Sequence, residues 1–178
     1  MLPYLQLDDR GLLDQCDVHV YKSSGPGGQH RNKVSSAVRL RHRPMGITAH
    51  GDDSRSQHDN RRLALQRLRM NLALRLRQPV DLANPAPPPG WEDFLARGGS
   101  RGPGDGPGRL VISPENHRFW IMAAFVLDVL EACEGRLADA AAVLGVTGSN
   151  LTGVLTSQRH LLTAAQGIRK AFGQRPIM

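Results

Sequence analysis

Between Pro79 and Gly108 the chain changes character, carrying Pro85-Ala86-Pro87-Pro88-Pro89-Gly90 and then Gly98-Gly99-Ser100-Arg101-Gly102-Pro103-Gly104. Proline fixes the backbone and removes a donor, glycine frees the backbone, and neither supplies much apolar surface, so such a stretch reads as a linker that cannot build a core. One turn of helix at Trp91 to Ala96 interrupts it. The expected organisation is a first domain over 1–78, a linker over 79–109 and a second domain over 110–178, and an apolar content of 40% is adequate for a core.

On the N-terminal side, Asp17-Val18-His19-Val20-Tyr21-Lys22 and Ala37-Val38-Arg39-Leu40-Arg41-His42 alternate as half-buried strands do, and Arg43-Pro44-Met45-Gly46 leads into Ile47-Thr48-Ala49. The pattern is a strand, a long loop and a hairpin. Ser56 followed by Asp59 resembles a capping box, and Leu65, Leu68, Leu72 and Leu76 recur at helical spacing towards Arg77. One amphipathic helix should cover the small sheet. Its other sides carry Arg61, Arg62, Arg67, Arg69, Arg75 and Arg77, which either meet phosphates or are simply solvated.

Beyond the linker, Ser113-Pro114 suits the N-cap and first position of a helix running to Glu134 and stopped by Gly135. Phe119 to Leu130 is the most apolar stretch, but it is too short to span a membrane and contains Asp128, so it reads as a buried helix. Residues 137–155 have the layout of a helix-turn-helix, with Ala141 where the helices cross, Gly145 at the turn, and Leu151 and Val154 facing inward. Thr147 to Gln158 hold no Arg or Lys, whereas a recognition helix brings them to phosphates and base edges. A helical docking module fits better than a DNA reader. The expected class is α+β: a small mixed sheet of short strands covered by one long helix, then an all-α C-terminal domain with a helix-turn-helix-like layout.

The net charge of +7 is confined to the first part, where residues 1–78 hold 14 Lys+Arg against 7 Asp+Glu while residues 79–178 hold 9 of each. A basic half beside a neutral half is the footprint of a surface that meets a polyanion. The N-terminus lacks a charged segment leading into an apolar run, and Asp8, Asp9, Asp14 and Asp17 argue against a transit peptide, so the expected location is the cytoplasm. Cys16 and Cys133 have no metal or redox spacing and read as small core residues.

The loop between the first two strands contains Ser23-Ser24-Gly25-Pro26-Gly27-Gly28-Gln29-His30-Arg31-Asn32-Lys33. Two adjacent glycines can adopt φ > 0 and let main-chain N–H groups approach a ligand with no Cβ in the way. From Ser23 to Arg69 the Gly-Gly-Gln, the Asn-Lys, the Ser-Ala-Val-Arg-Leu strand, the Pro-x-Gly-Ile turn and the Arg-Ser-Gln-x-x-Asn helix start follow one another. In that order they resemble the catalytic domain of class I peptide chain release factors and their short ribosome-rescue relatives, over residues 10 to 78.

The resemblance implies ribosome-dependent, codon-independent hydrolysis of the ester between nascent peptide and tRNA. Gly27, Gly28 and Gln29 would be catalytic: the glycines hold the loop open and the Gln29 N–H stabilises the transition state or leaving group. Such a preorganised donor contributes about 3 to 4 kcal/mol. Ribosomal RNA and the terminal 2′-hydroxyl of the tRNA would supply the rest, with no triad, metal or cofactor. Candidate RNA contacts are Ser24, His30, Arg31, Asn32, Lys33, Arg39, Arg41, Arg55, Arg61 and Arg62. Asn32 can instead cap the loop's own backbone, and Arg31 departs from the small apolar residue the family places there. The implied partners are the peptidyl transferase centre of the large ribosomal subunit, its 23S-type rRNA and the P-site peptidyl-tRNA, met by a monomer that binds neither a membrane nor a specific duplex DNA.

The residues before the first strand are too few for codon-reading domains, and the C-terminal part lacks the Lys- and Arg-rich tail of the rescue factors, so the targeting module is expected to be unlike either. Two other readings compete. One is a non-catalytic, basic RNA- or ribosome-binding protein with a structural Gly-Gly-Gln loop; the other is a DNA-binding regulator acting through residues 136–158.

Overall fold

The computed structural model describes residues 3–22, 35–96 and 107–178. The chain divides between Ala73 and Leu74 into two compact units.

The first unit opens with two short helices, α1 (Pro3–Gln6) and α2 (Asp9–Asp14), the second capped by the Asp8 carboxylate accepting from the Gly11 N–H at 2.7 Å. Three strands follow, β1 (Cys16–Tyr21), β2 (Ala37–His42) and β3 (Thr48–Gly51), forming an antiparallel sheet with β2 in the middle. The register pairs Val18 with Leu40 and Val20 with Val38, and Leu40 in turn with Ala49, which puts all of these on one face. Strand alternation sends Val38, Leu40 and Ala49 into the core and Arg39 and Arg41 to the opposite, exposed face.

The long helix α3 (Gln57–Arg75) covers the sheet with Ala64, Leu65, Leu68 and Leu72, all buried. Its start is half of the expected capping box. The Ser56 hydroxyl accepts from the Asp59 N–H at 3.3 Å, but the Asp59 carboxylate turns to the Ser54 hydroxyl, to which the Ser56 N–H also donates. Gly51 is what lets β3 approach the helix: a Cβ there would stand 2.0 Å from the Asn60 carbonyl oxygen and 2.9 Å from the Ala64 nitrogen.

The second unit is helical: α4 (Phe119–Ala132), α5 (Leu137–Leu144), α6 (Gly148–Thr156) and α7 (Arg159–Ala171). Helix α4 is buried on nearly every side, as its unbroken apolar run requires, and Met122, Leu127 and Leu130 join Leu151, Leu155 and Leu161 in the core. Gly145 takes the left-handed conformation between α5 and α6, and the Thr147 hydroxyl caps α6 by accepting from the Asn150 N–H.

Two features of this unit differ from the sequence expectation. Helix α4 starts at Phe119 rather than at Ser113-Pro114, because the Ser113 hydroxyl engages Glu115 and the Asn116 side chain accepts from the Arg118 N–H at 2.9 Å, closing turns in place of a first helical turn. The proline- and glycine-rich segment contributes to the helical unit's core. Trp91 is buried with its ring 5.3 Å from that of Phe125, Val80 and Phe94 pack against the same core, and β4 (Leu95–Ala96) pairs with β5 (Arg109–Leu110). The Arg118 guanidinium organises this stretch, donating to the Pro89 carbonyl and to Asp93 while lying 5.4 Å from the Phe94 ring centroid. A few large side chains suffice to anchor a segment whose average composition is poor in apolar surface.

Candidate functional site

Strands β1 and β2 end as a pair, Tyr21 opposite Ala37, so the residues between them form a loop with adjacent feet. Gly27, Gly28, Gln29, Ser24, His30, Arg31, Asn32 and Lys33 lie in that loop and outside the described residues. Both feet are tied down. The Tyr21 hydroxyl hydrogen-bonds His50 Nδ1 at 3.1 Å, reaching from β1 to β3 with β2 between them. Burial, followed by the charge of Asp52, raises the Tyr21 phenol above its ordinary value, so the hydroxyl keeps its proton.

At the other foot, the Asn60 amide is fully buried and has three partners. Its Nδ2 donates to the carbonyls of Ser36 and Ser54, each at 2.8 Å, while its Oδ1 accepts from the Ser54 N–H at 2.9 Å. The first turn of α3 thereby holds the residue that leads into β2. No role for Asn60, Tyr21 or His50 follows from the motif itself. The legible signal is that Asn60 shares the helical spacing of buried Ala64, Leu68 and Leu72, where a polar side chain has to be fully hydrogen-bonded.

The arginines sort into two groups. Arg67 donates to the His50 carbonyl at 2.9 Å and pairs with Asp53 at 2.7 Å; Arg69 holds the Leu7 carbonyl at 2.7 Å and Asp9 at 2.9 Å. Arg43 joins the Cys16 carbonyl to Asp17. In the helical unit Arg77 forms a buried pair with Asp128 at 2.8 Å and donates to the Ala124 carbonyl. These four brace the fold, which removes Arg67, Arg69 and Arg77 from the helix arginines open to a ligand. Of the expected contacts, Arg39 and Arg41 share the exposed sheet face, Arg55 is exposed ahead of α3, and Arg61 and Arg62 are exposed in its first turns. None of these five enters an ion pair among the described residues. Internal pairing consumes much of the unit's acid and leaves its surplus charge outward.

Cys16 and His42 are enclosed. Burial pushes the Cys16 thiol up to about 11 and it donates to the Leu12 carbonyl; burial also lowers His42, whose Nε2 faces the Gln15 side-chain oxygen at 3.0 Å while Nδ1 has no partner. Both belong to the core. Among the described residues no group of three or more His, Cys, Asp or Glu side chains can hold a metal, and no helix is long and apolar enough to cross a membrane.

The sequence matches the family model described as the RF-1 domain over residues 13–84. It is 45% identical over 74 residues to peptide chain release factor 1 of Erythrobacter litoralis, covering 42% of this chain and 20% of that protein. Peptide chain release factor 2 of Acidovorax sp. is 49% identical over 73 residues, covering 39% and 20%. Peptide chain release factor 1 of Lacticaseibacillus casei is 60% identical over 59 residues, covering 32% and 16%. The chain thus spans about a fifth of the length of these relatives. The match takes in residues 23–34, all three strands of the first sheet and helix α3, so it is residues 13–84 that are similar to the RF-1 domain of release factors.

Proposed function

We propose that the chain releases nascent peptide on the ribosome by hydrolysing the peptidyl-tRNA ester, with Gly27, Gly28 and Gln29 as the catalytic residues. The observation that carries this reading is the coincidence of the RF-1 match with a loop whose feet are both fastened, by Tyr21 with His50 and by Asn60 with Ser36. A donor that stabilises charge in a transition state works only if it is held in place beforehand, since reorganisation during the reaction would cancel its gain. Fastened strand ends limit that reorganisation to the loop itself.

In this reading the Gln29 N–H donates to the oxygen that gains charge as the ester breaks, and the proton transfers fall to rRNA, water and tRNA. The thiols and buried His42 take no part, being neutral and enclosed. Arg39, Arg41, Arg55, Arg61 and Arg62, with Ser24, His30, Arg31, Asn32 and Lys33 of the loop, meet RNA phosphates and bases near the peptidyl transferase centre. The chain acts without reading a codon, as a monomer in the compartment where ribosomes work. Its helical unit positions the RF-1 domain instead of binding duplex DNA, consistent with the lack of Arg and Lys from Thr147 to Gln158. We retain 1–78 and 110–178 as the catalytic and positioning regions.

The test is peptide release from ribosomes carrying P-site peptidyl-tRNA, with a stop codon, a sense codon or no mRNA in the A site. Release in all three supports the codon-independent reading; release with a stop codon alone replaces it with codon-dependent termination. No release in any condition sinks the catalytic assignment.

A further inference from the structure

Helix α3 covers β2 and β3 on one face of the first unit's sheet, with Val18 and Val20 of β1 exposed at its margin, and the other face is open. The open face carries, in register across the three strands, His19, Arg39 and His50 in one row and Asp17, Arg41 and Thr48 in the next. His19, Arg39, Arg41 and His50 are exposed. Tyr21 lies at the end of the same face opposite Ala37, tied through its hydroxyl to His50. The acid of these rows, Asp17, is engaged by Arg43, whereas Arg39 and Arg41 enter no ion pair among the described residues. Two open guanidinium groups on adjacent rows, with two imidazoles and a phenol beside them, are not what a merely solvated sheet face requires.

We propose that this open face is a docking surface for unpaired RNA, with Arg39 and Arg41 on phosphates and the planar groups of His19, Arg39 and His50 stacking against splayed bases. Side chains directly opposite on neighbouring strands stand about 5 Å apart, so one row offers a near-continuous platform of π-bearing groups. Flat sheet faces with planar side chains accept single-stranded bases, while phosphates supply affinity that is not specific to sequence. An acidic protein surface would use the arginines but gain nothing from the flanking rings, which is why RNA is favoured. This inference rests on the release reading and refines it: the sheet face holds RNA beside the loop's feet, and thereby contributes to binding and not to the chemical step.

The experiment uses the full chain and two readouts. Binding of a labelled, unstructured oligoribonucleotide is measured against salt concentration, with polyglutamate as the acidic-polypeptide comparison, for wild type, Arg39→Gln/Arg41→Gln, His19→Ala and the off-face control Arg75→Gln. Peptide release is measured on the same proteins at varied ribosome concentration. The double variant is expected to reduce the slope of log affinity against log salt by about 1.4, since each single-strand phosphate contact contributes about 0.7. His19→Ala is expected to weaken binding at least about five-fold with the slope unchanged, as loss of one stacked base does. In release, the half-saturating ribosome concentration should rise in both by a larger factor than the saturated rate falls.

RNA binding and salt slope unchanged in the double variant, or reduced equally by Arg75→Gln, overturn the proposal. So does binding to polyglutamate that falls in parallel with RNA binding. A wild-type chain that releases no peptide but binds RNA through this face refutes the release reading and leaves the surface standing.

Discussion

The Asn60 side-chain nitrogen donates to the Ser36 carbonyl oxygen at 2.8 Å, so the first turn of α3 holds the strand end at which the Gly-Gly-Gln loop rejoins the sheet. The same amide closes on Ser54 in both directions, leaving no polar atom of the cluster unmet. Replacing it by an apolar side chain would leave the partly buried Ser36 carbonyl and both backbone groups of Ser54 without these hydrogen bonds.

Asn60→Leu is therefore expected to destabilise the first unit by about 1 to 3 kcal/mol, the cost of losing hydrogen bonds at partly buried backbone groups. Peptide release should fall by more than the folded fraction does, because a freed Ser36 loosens the loop's foot. Urea unfolding together with release at saturating ribosomes checks both; a release rate that tracks the folded fraction alone would remove the positioning role.

Gly51→Ala should be worse tolerated than its size suggests. The added Cβ meets the Asn60 carbonyl at 2.0 Å and the Ala64 nitrogen at 2.9 Å, and these are backbone atoms of one helix that cannot rotate aside. Overpacking of this kind costs about 1 to 3 kcal/mol, and the strand must part from α3 to relieve it. A thermal midpoint within a degree of wild type would contradict the close approach.

In the helical unit, burial raises the Asp128 carboxyl to about 6 despite the Arg77 guanidinium and the Gln78 N–H beside it. A carboxyl held above its ordinary value binds protons in the folded state that the unfolded chain has released, so this contribution to stability is present below about pH 4 and is lost as pH rises to about 6. The unfolding free energy of wild type relative to Asp128→Asn should decline across that window and level off above it. Asp128→Ala, which removes the carboxylate that Arg77 pairs with, is expected to cost about 3 kcal/mol, whereas Arg77→Met/Asp128→Leu should cost less. Denaturant titrations from pH 4 to 8 test all three variants.

For catalysis, Gly28→Ala should suppress release more than Gln29→Ala. In the proposed reading Gly28 gives the backbone a freedom that a Cβ would remove, displacing the main-chain donor, while shortening the Gln29 side chain leaves its N–H in place. Single-turnover release on loaded ribosomes separates them, and full activity of Gly28→Ala would remove the loop from the mechanism.

Residue order alone carried the local structure. Alternation over Ala37 to His42 and leucine spacing from Leu65 to Leu72 are periodicities that backbone geometry imposes, and β2 and α3 stand where they indicate. The loop motif and the match to release factors likewise reside in a contiguous run of residues. What only the tertiary structure decided is which polar groups are spoken for. Arg69 finds Asp9, Arg67 finds Asp53, Arg77 finds Asp128 and Asn60 finds Ser36, all across separations that no spacing rule addresses. Trp91, in a stretch whose composition indicates a linker, meets Phe125 and joins a core. A hydrogen bond or ion pair depends on distance in space, and the chain's order fixes that distance only within a turn or a hairpin; beyond it, packing decides which arginine braces the fold and which stays open to solvent.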